Sequence, residues 1–260
     1  VWRATHTPDG PGTIHLRPDG TSEAWGQGAP WLLERAHALA GGVDDLDGFH
    51  PGAHPVVADL ARRLAHVRLT RTERVFDALV PAVLEQKVTG AEARRAWVGL
   101  VRRCGDPAPG PVPLRCPPTA SRLLEVPAYV FHRLGVERKR ADTIYRCAVV
   151  AHRLEEAGAL GSDGLDLRLR AIPGIGPWTS AEVRRVALGD PDAVSVGDYH
   201  LPHMVAWTLA GEARADDARM LELLAPFAGH RARVVRLIEL GGRGAPRRGP
   251  RMPLRMIARH

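Results

Sequence analysis

Apolar residues in the first forty positions come in short, partly alternating runs. Val1 to Thr7, Thr13 to Arg17 and Ser22 to Trp25 read as strands, parted by the turn-forming Asp9-Gly10-Pro11-Gly12 and Asp19-Gly20. Pro30 to Ala40 then takes helical spacing and stops at Gly41-Gly42. Residues 41–55 are dense in Gly, Pro, Asp and His and read as a loop. Beyond them the period changes to 3.6 and stays there. Val75, Phe76, Leu79, Val80, Val83 and Leu84 line one helix, with Thr72 as its expected N-cap. Trp97, Leu100 and Val101 mark the next helix. Leu123 to Leu134 follows, with Gly135 as its stop, then Ala141 to Leu154 and Leu165 to Leu169. Pro177 to Leu188, Leu201 to Leu209 and Arg231 to Leu240 complete the series. The expectation is a mainly α protein: a small α/β N-terminal domain over residues 1–55, a helical domain over 56–240, and a basic tail over 241–260. The tail reads as a solvated terminus or as a loose phosphate contact.

Composition narrows the classes. The chain has 260 residues, 45% of them hydrophobic, enough to bury a sizeable core. No run of about 18 apolar residues suggests a membrane span. Val1-Trp2-Arg3 lacks the charged and apolar regions of a secretory leader, and with no initiating Met the start is expected upstream. Cys104, Cys116 and Cys147 are too few for a disulfide scaffold, a four-thiolate zinc site or an iron–sulfur cluster, so a reduced, cytoplasmic setting is expected. Cys116 reads as an ordinary thiol rather than a nucleophile. The net charge of +7 favours a polyanionic partner, although nearly every basic residue is Arg, with Lys only at 87 and 139, a bias typical of GC-rich coding.

The most informative stretch is Leu169 to Val183. A short helix ends, Gly174 and Gly176 stand two apart around Ile175, and Pro177 opens a new helix at the position where an N–H would lack a partner. The glycines permit a tight hairpin, and free N–H groups at a helix start suit a phosphate oxygen. Such a contact carries no base sequence information. Val194-Ser195-Val196-Gly197-Asp198-Tyr199-His200 follows. Asp198 reads as a cap on the helix starting near Leu201, as a reactive carboxylate, or as both.

Together these segments resemble the helix-hairpin-helix DNA glycosylase superfamily, most nearly its 3-methyladenine DNA glycosylase II branch. The resemblance extends to Phe76 through Thr89 and, more weakly, to Pro226-Phe227 and the Arg-rich helix after it. It implies a helix-hairpin-helix helical bundle with a small N-terminal α/β domain. It implies a monofunctional enzyme of base excision repair that flips a damaged base, an alkylated purine by analogy, and hydrolyses its N-glycosidic bond. Asp198 would stabilise the oxocarbenium-like sugar. Trp178 and Tyr199 match base-pocket positions, or else pack in the core. Gly174, Ile175, Gly176 and Thr179 would contact DNA. Gln86 would meet the opposite base, and Lys87 would be a wedge filling the gap or merely a surface charge. Members that also cut the backbone carry a Lys where this chain has Trp178, so no lyase activity is implied. The last helix lacks the pocket Trp of the bacterial prototype and carries Arg233 and Arg236 instead. No cofactor and no side-chain metal site are expected; His200 and His203 read as helix-surface residues. The expected partner is double-stranded DNA with damaged bases, bound by a monomer in the bacterial cytoplasm at the nucleoid. The competing readings are a non-enzymatic lesion-binding protein on the same hairpin, a bifunctional glycosylase/lyase and, more remotely, a basic RNA-binding protein.

Overall fold

The computed structural model describes residues 1–242; most of the expected 241–260 tail lies outside the described residues. Three strands, β1 (Trp2–Thr7), β2 (Gly10–Leu16) and β3 (Ser22–Gly26), form an antiparallel meander in the order β1-β2-β3. Strand β2 begins at Gly10, before the first alternating residue. The ladder there is made by backbone, with Pro11 opposite His6 and Gly10 opposite Thr7. Ile14, Leu16 and Ala24 turn one sheet face onto Leu32 and Leu39. Those residues come from α1 (Ala29–Glu34) and α2 (Ala36–Leu39), so the single helix expected over 30–40 is two, broken at Arg35. Arg35 lies over the Trp31 ring at 4.2 Å and pairs with Glu73 at 2.8 Å, which ties the module to the helical part. Thr5 hydrogen-bonds Asp77, and the Cys116 thiol donates to the Thr5 carbonyl at 3.5 Å.

The helical part runs from α3 (Pro55–Arg63) through α4 (Val75–Leu84), α5 (Gly90–Cys104), α6 (Ala120–Glu125) and α7 (Ala128–Arg133). It continues with α8 (Arg138–Val149), α9 (Ala151–Gly158), α10 (Gly161–Arg170) and α11 (Pro177–Leu188). It ends with α12 (Leu201–Ala210), α13 (Asp217–Leu224) and α14 (Arg231–Gly241). Helix α4 is buried on nearly every side, which is why its sequence is apolar all round. Its first N–H groups are not capped by Thr72. Glu155 of α9 accepts from Val75 N and Phe76 N, both at 3.0 Å, while the Thr72 hydroxyl serves Arg74 N at 3.4 Å. Helix α5 carries its own start signal, a capping box between Thr89 and Glu92. Helix α13, unexpected from apolar spacing, is capped by Asp216 on Arg219 N at 2.9 Å.

Two apolar cores result. One gathers α4 with α5 through α11, around Leu79, Leu84, Phe131 and Ile144. The other joins α3 to α12, α13 and α14 through Leu60, Val205, Met220 and Val234. The chain passes from the first core to the second through residues 189–200, and this crossing carries Asp198. A buried ion pair, Arg233 to Asp44 at 2.6 Å, fastens α14 to the 41–55 loop. Arg233 therefore serves packing, not a pocket.

Candidate functional site

The turn between α10 and α11 is held from three sides. Gly174 has φ +101, and a Cβ there would lie 2.3 Å from the Thr143 hydroxyl, so conformation and space both require glycine. Gly176 is extended and faces open space; its missing side chain keeps the helix start uncovered rather than relieving strain. No side chain caps α11. Ile175 is buried and anchors the turn in the first core. Gln86 Nε2 donates to Gly174 O at 3.0 Å and to the buried Thr179 Oγ1 at 2.9 Å. Arg146 donates to Pro173 O at 3.2 Å. The Gln86 amide is thus engaged with the hairpin, while its neighbour Lys87 stands exposed at the turn between α4 and α5 with φ +56.

Asp198 is held from α11 and from the start of α12. Its Oδ1 accepts from His200 N at 2.7 Å and Leu201 N at 2.9 Å, so it does cap α12. Its Oδ2 accepts from the Trp178 indole Nε1 at 3.0 Å. The loop before it is pinned at Gly197, whose φ of +94 suits only glycine and whose N–H is held by the Asp217 carboxylate at 3.0 Å. Ser195 Oγ donates to Glu182 Oε1 at 2.5 Å, fastening the same loop to α11.

The half-buried Asp198 lines a cavity of about 360 Å³ at the junction of the two cores. Glu182 and Arg185 come from α11, Ser195 from the loop, and Arg236 and Glu239 from α14; Met204 and Val235 add apolar wall. Among the described residues, no Phe, Tyr or Trp lines this cavity. Trp178 reaches it only through its bond to Asp198. Tyr199 is 81% exposed, its ring set edge-on to His200 and His203, and it lies outside the lining. Glu182 and Arg185, which sequence reasoning did not single out, occupy the wall one and two turns after Trp178. Burial opposes the Arg185 charge, but Glu182, Glu239 and Glu85 hold the guanidinium protonated beyond its usual range. Burial pushes Glu85 up, and the Glu182 carboxylate adds to this.

The thiols take no part. Burial pushes Cys116 up to about 11 and Cys147 up to about 12, so neither offers a thiolate near neutrality. Among the described residues, no group of three or more His, Cys, Asp or Glu is placed to hold a metal ion, and no helix is long and apolar enough to cross a membrane.

No protein-family model matches the chain. Over 158 residues, 58% of its length, it is 32% identical to the probable bifunctional transcriptional activator/DNA repair enzyme AlkA of Mycobacterium tuberculosis. The chain spans 30% of that protein's length. A 3-methyladenine DNA-glycosylase from Archaeoglobus fulgidus superposes with a TM-score of 0.76 at 20% identity, over 91% of this chain and 84% of that one. The fold is that of the helix-hairpin-helix DNA glycosylases. The 8-oxoguanine glycosylase/lyase of Clostridium acetobutylicum, in complex with double-stranded DNA, shares it with a TM-score of 0.66 at 12% identity, over 92% and 87% of the two chains. Within this fold, the Trp178 indole joins the hairpin helix directly to the Asp198 carboxylate.

Proposed function

We propose that the protein is a monofunctional DNA glycosylase, which hydrolyses the N-glycosidic bond of a damaged base in duplex DNA and leaves an abasic site. The observation that carries this reading is the Asp198 carboxylate, held at the edge of a cavity by three N–H donors, one of them the Trp178 indole of the hairpin helix.

The uncapped start of α11 offers outward N–H groups at the positive end of a helix, suited to a backbone phosphate on duplex DNA. Such anchoring is independent of sequence, as a repair enzyme needs. The nucleotide rotates out at a cost of a few kcal/mol in lost stacking, less for a damaged or mispaired base. Lys87 follows Gln86 on the turn, where its apolar stem can fill the vacated space and its ammonium can reach a phosphate. Asp198 then faces the sugar. Its fixed negative charge stabilises the oxocarbenium-like transition state without reorganising, and it can orient the attacking water. Pro177, Trp178 and Thr179 present no amine at the hairpin, so no Schiff base forms there and the backbone stays intact. The expectation of an alkylated purine came with a pocket of aromatic faces, and the choice of base therefore turns on the cavity wall.

Single-lesion duplexes incubated with the protein and then treated with alkali test the reading. Lesion-dependent strand breaks only after alkali, with no adduct trapped by borohydride, are expected. Breaks without alkali together with a trapped adduct would mean a lyase, and lesion binding with no base release would mean a non-enzymatic binder.

A further inference from the structure

Helix α8 packs against the hairpin turn. Its Thr143 meets Gly174, where a Cβ would lie 2.3 Å from the hydroxyl, and Thr143 Oγ1 donates back to Lys139 O at 2.9 Å. Lys139 and Arg146 stand four residues before and three after Thr143, so all three share one side of the helix. Both basic residues are exposed. Arg146 Nη1 donates to Pro173 O at 3.2 Å, the carbonyl next to the one Gln86 takes. That bond uses one of the five guanidinium N–H groups.

Most cations around the hairpin already have an acidic partner. Arg170 faces Asp166, Arg184 faces Asp190 and Arg185 faces Glu182. On α8 itself, Arg138 faces Asp142 at 3.8 Å, and Glu137 supports the charge of the buried Arg140. Among the described residues, no carboxylate pairs with Lys139 or Arg146. Two uncompensated positive charges thus border the hairpin whose second helix starts uncapped. A free Arg side chain gives up rotamer freedom when it grips an anion. The bond to Pro173 O has already restrained this one, and the planar fork suits phosphate oxygens.

We propose that Arg146, with Lys139 beyond it, forms a second phosphate-binding site, which grips the backbone of the duplex flanking the lesion next to the phosphate held by the start of α11. This rests on reading the chain as a DNA glycosylase. Helix α8 contributes no residue to the Asp198 cavity, so the phosphate it takes belongs to the flanking duplex and not to the everted nucleotide. The contact adds affinity by releasing counterions and is blind to base sequence.

The test measures binding to a short duplex holding one tetrahydrofuran abasic-site analogue, across a range of salt concentrations. Arg146→Gln is expected to weaken binding about fivefold and to reduce the salt slope by about 0.9. Arg146→Lys should recover part of this, because the charge stays while the fork is lost. Lys139→Gln should weaken binding about twofold. Arg62→Gln removes the same charge from an exposed position on α3, in the other core, and is expected to change binding little. Replacing single phosphates by uncharged methylphosphonates then locates the contact. At one flanking position the replacement should weaken wild type about fivefold and Arg146→Gln less than about twofold. If Arg146→Gln loses no more than Arg62→Gln, or if every methylphosphonate costs both proteins equally, the proposal is overturned and the glycosylase reading stands. Wild type that neither binds this duplex nor releases any base overturns both.

Discussion

The indole Nε1–H of Trp178 donates to Oδ2 of Asp198 across 3.0 Å, joining the first turn of the hairpin helix to the carboxylate that caps the next one. Under the proposed function, whatever holds the hairpin on DNA would therefore also orient Asp198. Trp178→Phe keeps most of the ring and removes this bond. A hydrogen bond to a charged group is worth about 1.5–3 kcal/mol, and for a half-buried one the lower end applies. Single-turnover base release is expected to slow about tenfold, with DNA affinity changed less than about twofold. An equal loss in affinity would assign Trp178 to binding instead.

Gln86 holds the hairpin across 88 residues of sequence through Gly174 O and Thr179 Oγ1. Gln86→Ala is expected to lower stability by about 1–2 kcal/mol in urea unfolding and to weaken binding to an abasic-site duplex. Gln86→Glu should be worse than alanine, because a carboxylate oxygen would face the Gly174 carbonyl. A glutamate variant as stable as wild type would remove Gln86 from this role.

Lys87 keeps a left-handed backbone, φ +56, without being glycine. That conformation costs an L-residue about 1–2 kcal/mol. Lys87→Gly relieves it while adding about 0.5–1 kcal/mol of unfolded-state entropy, so the thermal midpoint should hold or rise slightly. DNA binding should nonetheless weaken severalfold, with the salt dependence reduced by about one phosphate contact. Unchanged binding would make Lys87 a surface charge.

Much of this arrangement was legible in the chain because its signals are local. Pro177 opens its helix where expected, Gly135 ends α7 with φ +78, and the spacing of Val75 through Leu84 marks a buried helix. What escaped is long-range. The cap of α4 is Glu155, 80 residues from Val75, and nothing near Thr72 announces it. Glu182 and Arg185 look like ordinary solvated charges on α11 until the Ser195 loop and α14 close over them. Tyr199 adjoins Asp198 in sequence, but the bend that caps α12 turns its ring outward. The Asp216 cap of α13 is a local signal that apolar periodicity alone passes over.

Asp192 reports on stability of the second core. Burial pushes its carboxyl up, but hydrogen bonds from the Arg231 side chain and backbone outweigh this and hold it below its ordinary 3.8. A depressed folded-state value means stabilisation that is present above the ordinary value and lost as pH falls through the depressed one. Asp192→Asn should therefore be less stable than wild type at pH 6, and the gap should close on acidification below about pH 4. A gap independent of pH would assign the cost to shape rather than charge.

The decisive measurement is the single-turnover rate of base release by Asp198→Asn beside wild type, with DNA affinity measured on the same lesion duplex. Asparagine preserves size and removes the charge. The expected result is a rate at least about a hundredfold lower with affinity held within severalfold. A folded Asp198→Asn protein that frees the base as fast as wild type would contradict the account.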